Sequence, residues 1–330
     1  MKPALATAVS VLLSVFSPSG GLAQSKVGVL ASYSGDWGSY GVAYRNGIEL
    51  AGVGESVTVV YEDDGFLPAK TVTAFRKLVD VDKITAVFVG DTVTAQAVAP
   101  LAQKRLMPLY AWASTDGAFG HNPYATRLWA SNRKDYGFLV DEVTRRGYKR
   151  VALFTSTHPY ANGWAEAIAT RLKGSVIEDF SATPESFQAP ILKLKQGGFD
   201  AVGICLSPGL NGLFAKQMRA LNLSVPLFSC GFVESSADIE AARGAFDGMW
   251  FTAPRLSEAF VQTYKRHFGK TDHIVSAAIF HDAARLIAGQ FQKPFAIDGL
   301  KVIEEDGDRH LDFDFGVFQF RGPAIEELNR

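Results

Sequence analysis

Almost no charge imbalance is present in this chain, in which 33 Lys and Arg offset 34 Asp and Glu for a formal net charge of −1. Without a surplus of positive charge there is no electrostatic ground for binding nucleic acid or an anionic membrane surface. Cysteine is nearly missing: Cys205 and Cys230 are the only two. Both lie in apolar, strand-like contexts, where thiols are either simply buried or, in an oxidising compartment, paired. No Gly-x-Ser-x-Gly elbow occurs, so the hydrolase signature is absent. The six histidines, at 121, 158, 267, 273, 281 and 310, are scattered, and none stands at metal-ligand spacing with Cys, Asp or Glu. His281 and Asp282 read as a helix surface or core pair. An enzyme is therefore not expected, nor a cofactor. Past the N-terminus no apolar run is long enough to span a bilayer.

The N-terminus has a pattern of its own. Lys2 supplies a positive start, and Ala4 to Phe16 form an uncharged run rich in Ala, Val and Leu. That run has the length of a signal-peptide core and falls short of the ~20 residues of a membrane-spanning helix. Gly21, Leu22 and Ala23 place small residues where a signal peptidase reads, so residues 1–23 are expected to be removed before Gln24. Pro18, Gly20 and Gly21 argue against a buried helix there. No Cys near the cut is available to carry a lipid. The expected location is the periplasm.

What remains is roughly 300 residues, enough for two domains, with 47% apolar and 20% charged residues. Short runs rich in Val, Ile and Phe occur at Val27–Ala31, Val57–Tyr61, Ala86–Val89, Pro108–Trp112, Val151–Thr155, Ala201–Leu206 and Pro226–Ser229. Their length suits strands buried on both faces. Helical patterns fall between them, with Val72, Phe75 and Val79 on one face and Trp164, Ile168 and Leu172 on another. This alternation predicts an α/β fold with parallel central sheets. The rhythm stops in a loop at Ser114–Pro123, passes a short run at Arg127–Ala130, and restarts near Arg150. After Pro254 it becomes two helices, near Glu258–Phe268 and Ile274–Phe291, then strand-like segments around Asp312–Phe320. The pattern predicts two Rossmann-like lobes: residues 24–129 with 254–312, and 130–253 with 313–330. Three chain segments join them as a hinge, crossing near Ala130, near Ala253 and close to the C-terminus.

In open parallel sheets ligands bind beyond the carboxyl ends of the strands. After the first strand, Gly35, Gly38 and Gly41 allow a tight turn beside Tyr33, Trp37 and Tyr40, which can wall an apolar pocket. After the third come Gly90, Asp91, Thr92, Val93 and Thr94. Thr92 or Thr94 is a good helix cap, leaving N–H groups that favour an anion such as a carboxylate. Ala113, Ser114 and Thr115 follow the fourth strand and add hydroxyls. In the second half, His158–Gly163, Ser207–Gly209 and Gly231–Glu234 occupy the matching positions. Tyr160 and Phe232 can close over a ligand, and Glu234 or Asp91 can pair with an ammonium group. The alternative for each Ser or Thr is that it caps its own helix.

A dinucleotide-dependent enzyme is the rival from another class, since Glu62, Asp63 and Asp64 end the second strand where a ribose-binding acid would sit. The glycine spacing, Gly-x-x-Gly-x-x-Gly set four residues past the strand, departs from the tight Gly-x-Gly turn such a site needs.

Several stretches carry a resemblance. Lys26–Ala51, with its Ser34-to-Gly41 turn and its Arg45-to-Ala51 helix, resembles the opening of type I periplasmic binding proteins, in the leucine/isoleucine/valine-binding branch that serves ABC transporters. Tyr61–Asp64, Tyr160–Gly163, Phe187–Gln188 and Glu305–Arg309 extend the likeness over nearly the whole mature chain. The resemblance implies a substrate-binding protein that closes on a small carboxylate-bearing ligand, an amino acid with a branched-chain or aromatic side chain, and docks on permease subunits in the inner membrane. It implies that Tyr40 lines the side-chain pocket, that Thr92 and Thr115 hold the α-carboxylate, that Ala113 contributes main chain, and that Tyr160 and Ser207 are second-lobe contacts; Val93 and Ser114 flank these positions. The simplest register puts Phe232 where an ammonium-binding acid is usual, leaving Glu234 two residues late, and Ser207 stands where an aromatic is common. A non-amino organic acid or amide fits both changes. The same fold also serves as a ligand sensor working without a transporter.

Overall fold

The computed structural model describes residues 25–180, 186–290 and 295–328; the expected signal peptide lies outside them. The chain starts with β1 (Ser25–Ala31), β2 (Val57–Asp63), β3 (Ala86–Val89), β4 (Leu109–Ala111) and β5 (Ala125–Arg127), interleaved with α1 (Gly38–Leu50), α2 (Pro68–Asp80) and α3 (Thr92–Lys104). It then passes through α4 (Asn132–Arg145) into a second sheet. There β6 (Val151–Ser156), β7 (Val176–Phe180), β8 (Ala201–Cys205), β9 (Leu227–Cys230) and β10 (Trp250–Pro254) alternate with α5 (Pro159–Arg171), α6 (Gln188–Gly197), α7 (Leu210–Ala220) and α8 (Ser236–Ala242). From β10 the chain returns to the first lobe as α9 (Glu258–Phe268), α10 (Ile274–Ile287), β11 (Lys301–Glu305) and β12 (Asp308–Asp312). It ends at the edge of the second sheet as β13 (Phe315–Arg321) and β14 (Ala324–Glu327).

Each lobe is built on a seven-stranded sheet, ordered β11-β12-β5-β4-β3-β1-β2 in one and β14-β13-β10-β9-β8-β6-β7 in the other. The seven apolar runs read from the sequence all fall on strands that pair in parallel, and β7, β10 and β12, which it does not mark as such runs, join parallel pairs as well. Every residue of β3, β6, β8 and β9 is buried, as strands covered by helices on both faces require. Among the described strands, antiparallel pairing is confined to the late hairpins and the β10–β13 pair, with one isolated bridge between Leu256 and Ile297. Both sheets reverse their winding beside the first strand of the lobe, between β1 and β3 and between β6 and β8. Such reversal points open a crevice at the carboxyl ends of the strands.

Some boundaries differ from expectation. The expected run at Arg127–Ala130 is strand only as far as Arg127. That side chain is fully buried, donating to both carboxylate oxygens of Asp308 (3.1 and 2.9 Å), to Asp116 (2.9 Å) and to the Ala113 carbonyl (3.1 Å). The last long helix stops at Ile287, with Gly289 at φ +70 just beyond. Cys205 and Cys230 are free, buried on neighbouring strands with Sγ atoms 3.0 Å apart. His281 and Asp282 are a core pair at 2.7 Å, and the Asp282 carboxylate also accepts from the N–H groups of Ala296 and Ile297.

One close approach sets the floor of the first lobe. A Cβ on Gly47 of α1 would stand 2.0 Å from the Ala277 carbonyl oxygen of α10, so these helices touch only because residue 47 has no side chain. Their contact brings Tyr40 at the head of α1 against His273 at the head of α10, the rings stacked 3.8 Å apart. Among the described residues no helix is long and apolar enough to cross a membrane.

Candidate functional site

The loops at the two reversal points face each other across a cleft that holds two chambers. The outer one, about 300 Å³, is walled by Trp37, Phe66 and Asp91 from the first lobe and by Thr157, His158 and Ser207 from the second. Its volume falls at the lower end of small-molecule sites. The inner one, about 20 Å³, has room for a single water-sized group. Tyr40, Trp112 and Phe232 border both chambers. Around the inner chamber the rings form a continuous wall: Trp112 stacks on Trp129 (5.2 Å), Trp129 meets Tyr160 edge-on (6.1 Å), Tyr160 meets Phe232 (5.0 Å), and Phe232 meets Tyr40 edge-on (6.4 Å). Trp129 is fixed by its indole N–H, which donates to Asp135 at 2.7 Å. Burial pushes that carboxyl up to about 6, against the lowering effect of the Trp129 and Tyr160 hydrogen bonds.

The start of α3 departs from the sequence reading. Neither Thr92 nor Thr94 is the cap. Asp91 has the extended conformation (φ −150, ψ 152), and its Oδ1 accepts from the N–H groups of Val93 (2.9 Å) and Thr94 (3.2 Å). An aspartate caps as well as a threonine, and its longer acceptor reaches both donors. The helix start expected to hold a ligand's carboxylate is therefore filled by one of the chain's own. The second oxygen of Asp91 meets His158 Nε2 of the opposite lobe at 3.1 Å, a direct bond across the cleft mouth. Each Asp91 oxygen thus already has at least one partner.

Of the residues singled out in the sequence, Tyr40, Val93, Tyr160, Ser207, Phe232 and Glu234 border one or both chambers. Thr92, Ala113, Ser114 and Thr115 border neither. Thr92 is buried with its Oγ1 accepting from the Ser114 N–H (3.2 Å), the Ala113 carbonyl is taken by Arg127, and the Thr115 carbonyl accepts from the Ala118 N–H (3.2 Å). The Thr92 hydroxyl and the two carbonyls stitch these loops together, while the Ser114 hydroxyl is buried without a partner. Sequence reasoning passed over Trp112 and Trp129, visible only as strand ends, and His273, which no local pattern marks. His273 is buried with φ +51, its Nε2 lies 3.0 Å from Ser39 Oγ, and desolvation pulls its pKa down to about 4, so the ring is neutral.

Glu234 is the outlier. The residue is half-buried, yet its Oε2 is sealed from solvent without a hydrogen-bond partner. Burial alone pushes its carboxyl up to about 8. Among the described residues no Lys or Arg borders either chamber. Among the described residues no group of His, Cys, Asp or Glu is placed to hold a metal ion.

A family model described as periplasmic binding protein matches residues 24–305. Among solved structures, a leucine binding protein LivK from Thermotoga maritima superposes with a TM-score of 0.78 at 20% identity, covering 92% of this chain and 98% of that one. The branched-chain amino acid transporter substrate binding protein LivJ from Streptococcus pneumoniae, in complex with isoleucine, gives 0.78 at 20% identity, covering 92% and 99%. An ABC transporter solute binding protein from R. palustris, in complex with benzoate, gives 0.77 at 20% identity, covering 92% and 95%. At these identities the likeness is one of fold. No curated protein matches the sequence.

Proposed function

Since the chain belongs to the periplasmic binding protein family, we propose that it is the exported substrate-binding component of an ABC importer, trapping a small molecule between its lobes and delivering it to permease subunits in the inner membrane. It is a binder and not an enzyme. The observation that carries this reading is the 300 Å³ chamber bounded by strand ends of both lobes. A ligand there touches both halves at once and so favours the closed arrangement by its differential affinity for it. Residues 24–129 with 254–312 move as one body, and 130–253 with 313–330 as the other.

Tyr40, Val93, Tyr160, Ser207, Phe232 and Glu234 are the contact residues of this reading, with Trp37, Trp112 and His158 added by the fold. The ring-rich walls suit a ligand with a branched aliphatic or aromatic body, in keeping with the isoleucine and benzoate held by structures of the same fold. Thr92, Ala113, Ser114 and Thr115 are assigned to the scaffold. The test is a thermal-shift and calorimetric panel of amino acids, aromatic acids, amides and amines on the mature protein, with small-angle scattering of each hit. Saturable binding with a smaller radius of gyration is expected. A panel in which nothing binds and nothing compacts the protein sinks the proposal.

A further inference from the structure

We propose that Cys205 and Cys230 form a disulfide site: in the exported protein the two thiols are joined by a bond that pins together the roots of two loops of the second lobe. The proposal goes beyond the transport reading and takes one premise from it, an oxidising compartment in which such bonds form and persist.

Three observations lead there. First, the backbone already has the spacing a disulfide needs. β8 and β9 pair in parallel with Ile204 opposite Ser229, so Cys205 and Cys230 are the next residue along on each strand. Neighbouring strands lie about 4.8 Å apart, inside the Cα separation of about 4.4–6.8 Å that a disulfide spans. The frame is fixed on both sides of Cys205. The Ser229 hydroxyl donates to the Ile204 carbonyl at 2.5 Å, and buried Asn211 holds both the N–H and the carbonyl of Leu206. Second, the side chains already point at one another, with Sγ atoms 3.0 Å apart. Non-bonded carbons sit best about 3.5–4.0 Å apart, and sulfur is the larger atom. The two thiols are thus inside packing distance, about 1 Å short of a bond of about 2.0 Å. Apolar burial alone gives no reason to press two thiols together in this way. Third, the pairing is unambiguous, because the chain has no other cysteine and a bond here leaves no odd thiol.

The position says what the bond does. Both cysteines are fully buried and neither borders a chamber, so they are not ligand contacts. The chain leaves β8 towards Ser207, on the outer chamber, and leaves β9 into Gly231 and Phe232, on the inner one. A bond between the last residues of the two strands holds these loops at a fixed separation. It also joins positions 25 residues apart in sequence, which restricts the unfolded chain.

The oxidant is a disulfide, of a small molecule or of a thiol-oxidising protein. One cysteine thiolate attacks a sulfur of that disulfide, whose S–S bond breaks and releases one thiolate. The other cysteine thiolate then attacks the mixed disulfide, forming the Cys205–Cys230 bond and releasing the second thiolate. The two electrons end on the oxidant, and the two cysteine protons end on its released thiols. Burial pushes the Cys205 thiol well above its ordinary value, so in the folded chain it is protonated and unreactive. The exchange therefore takes place while β8 and β9 are assembling, and the finished bond is sealed from reductants.

The experiment uses the mature chain in two preparations, one recovered from the periplasm and one refolded in oxidised and reduced glutathione. Each is denatured, alkylated without reductant, and measured by intact mass and peptide mapping. The expected result is no alkylation, a mass lower by two hydrogens, and a peptide joining Cys205 to Cys230. Protein refolded in dithiothreitol should melt lower than the linked form, by on the order of 5 °C, and its amides at Ser207–Gly209 and Gly231–Glu234 should exchange faster. C205A/C230A should show no response to reductant. Two alkylated cysteines in the periplasmic preparation, or a reduced form that melts with the linked one and exchanges at the same rate, overturns the disulfide. A chain that stays in the cytoplasm with free thiols, yet links on refolding, counts against export and leaves the disulfide site standing.

Discussion

Two carboxylates face one cleft, and they have been treated in opposite ways. Asp91, at the mouth, has both oxygens engaged, by two backbone N–H groups and by His158. Glu234, in the depth, has an oxygen that meets nothing and a carboxyl held up to about 8 by burial. The first is a structural anion, compensated by a helix start and an imidazole. The second is left uncompensated within the folded chain. Where a carboxylate stands in a cleft therefore says less about its role than whether the protein has already supplied its donors.

The largest expected effect strikes the ring wall on Glu234's side of the cleft. Trp129→Ala removes a buried ring stacked on Trp112 and should cost about 3–5 kcal/mol, read by denaturant unfolding; a loss under about 1 kcal/mol would mean the ring wall is not a packed unit. Next comes Asp91→Ala, which strips the cap of α3 and should cost about 1–2 kcal/mol. Asp91→Asn, keeping an acceptor, should recover most of that. Equal losses in both variants would show the charge, and not the cap, to be what Asp91 provides.

Glu234→Gln sharpens the contrast through pH. A carboxyl whose folded pKa lies near 8, against about 4.5 when unfolded, keeps its proton in the native state while the unfolded chain gives it up. Stability from this group is thus fully present below about pH 4.5 and declines as pH rises to about 8. The melting temperature of E234Q should gain on wild type across that interval and then level off. A constant difference would place Glu234 in water. The smallest effect is expected of His158→Gln. It breaks one partly exposed contact, worth about 0–1 kcal/mol, but scattering without ligand should shift toward a more open form.

Much of the architecture was legible because its signals are local. Continuous apolar runs mark β1, β3, β6 and β8, and Glu258–Phe268 emerges with its expected boundaries. The alternation forces loops to the strand ends, which is enough to bring Tyr40, Ser207 and Phe232 to one cleft. The α3 cap was not legible: Asp91, Thr92 and Thr94 are all competent caps, and backbone conformation at residue 91 decides among them. The roles of Thr92 and Thr115 came from resemblance; here Thr92 Oγ1 accepts from the Ser114 N–H and Arg127 holds the Ala113 carbonyl, and neither threonine borders a chamber. His273 reaches the site only through the α1–α10 contact at Gly47, a tertiary event that no window of sequence reports.

The three passages of chain between the lobes do not run behind the inner chamber at a distance. Trp129 precedes the first passage, Pro254 ends the strand before the second and Phe315 begins the strand after the third, and all three residues border that chamber. Trp129 and Phe315 also share contacts with Phe313. On the proposed hinge closure, a guest that fills the recess would press on the crossing segments themselves. Occupancy would be felt at the axis of rotation before the lips meet, and a molecule too short to reach the axis could lodge at the mouth without setting the angle that a docking partner reads.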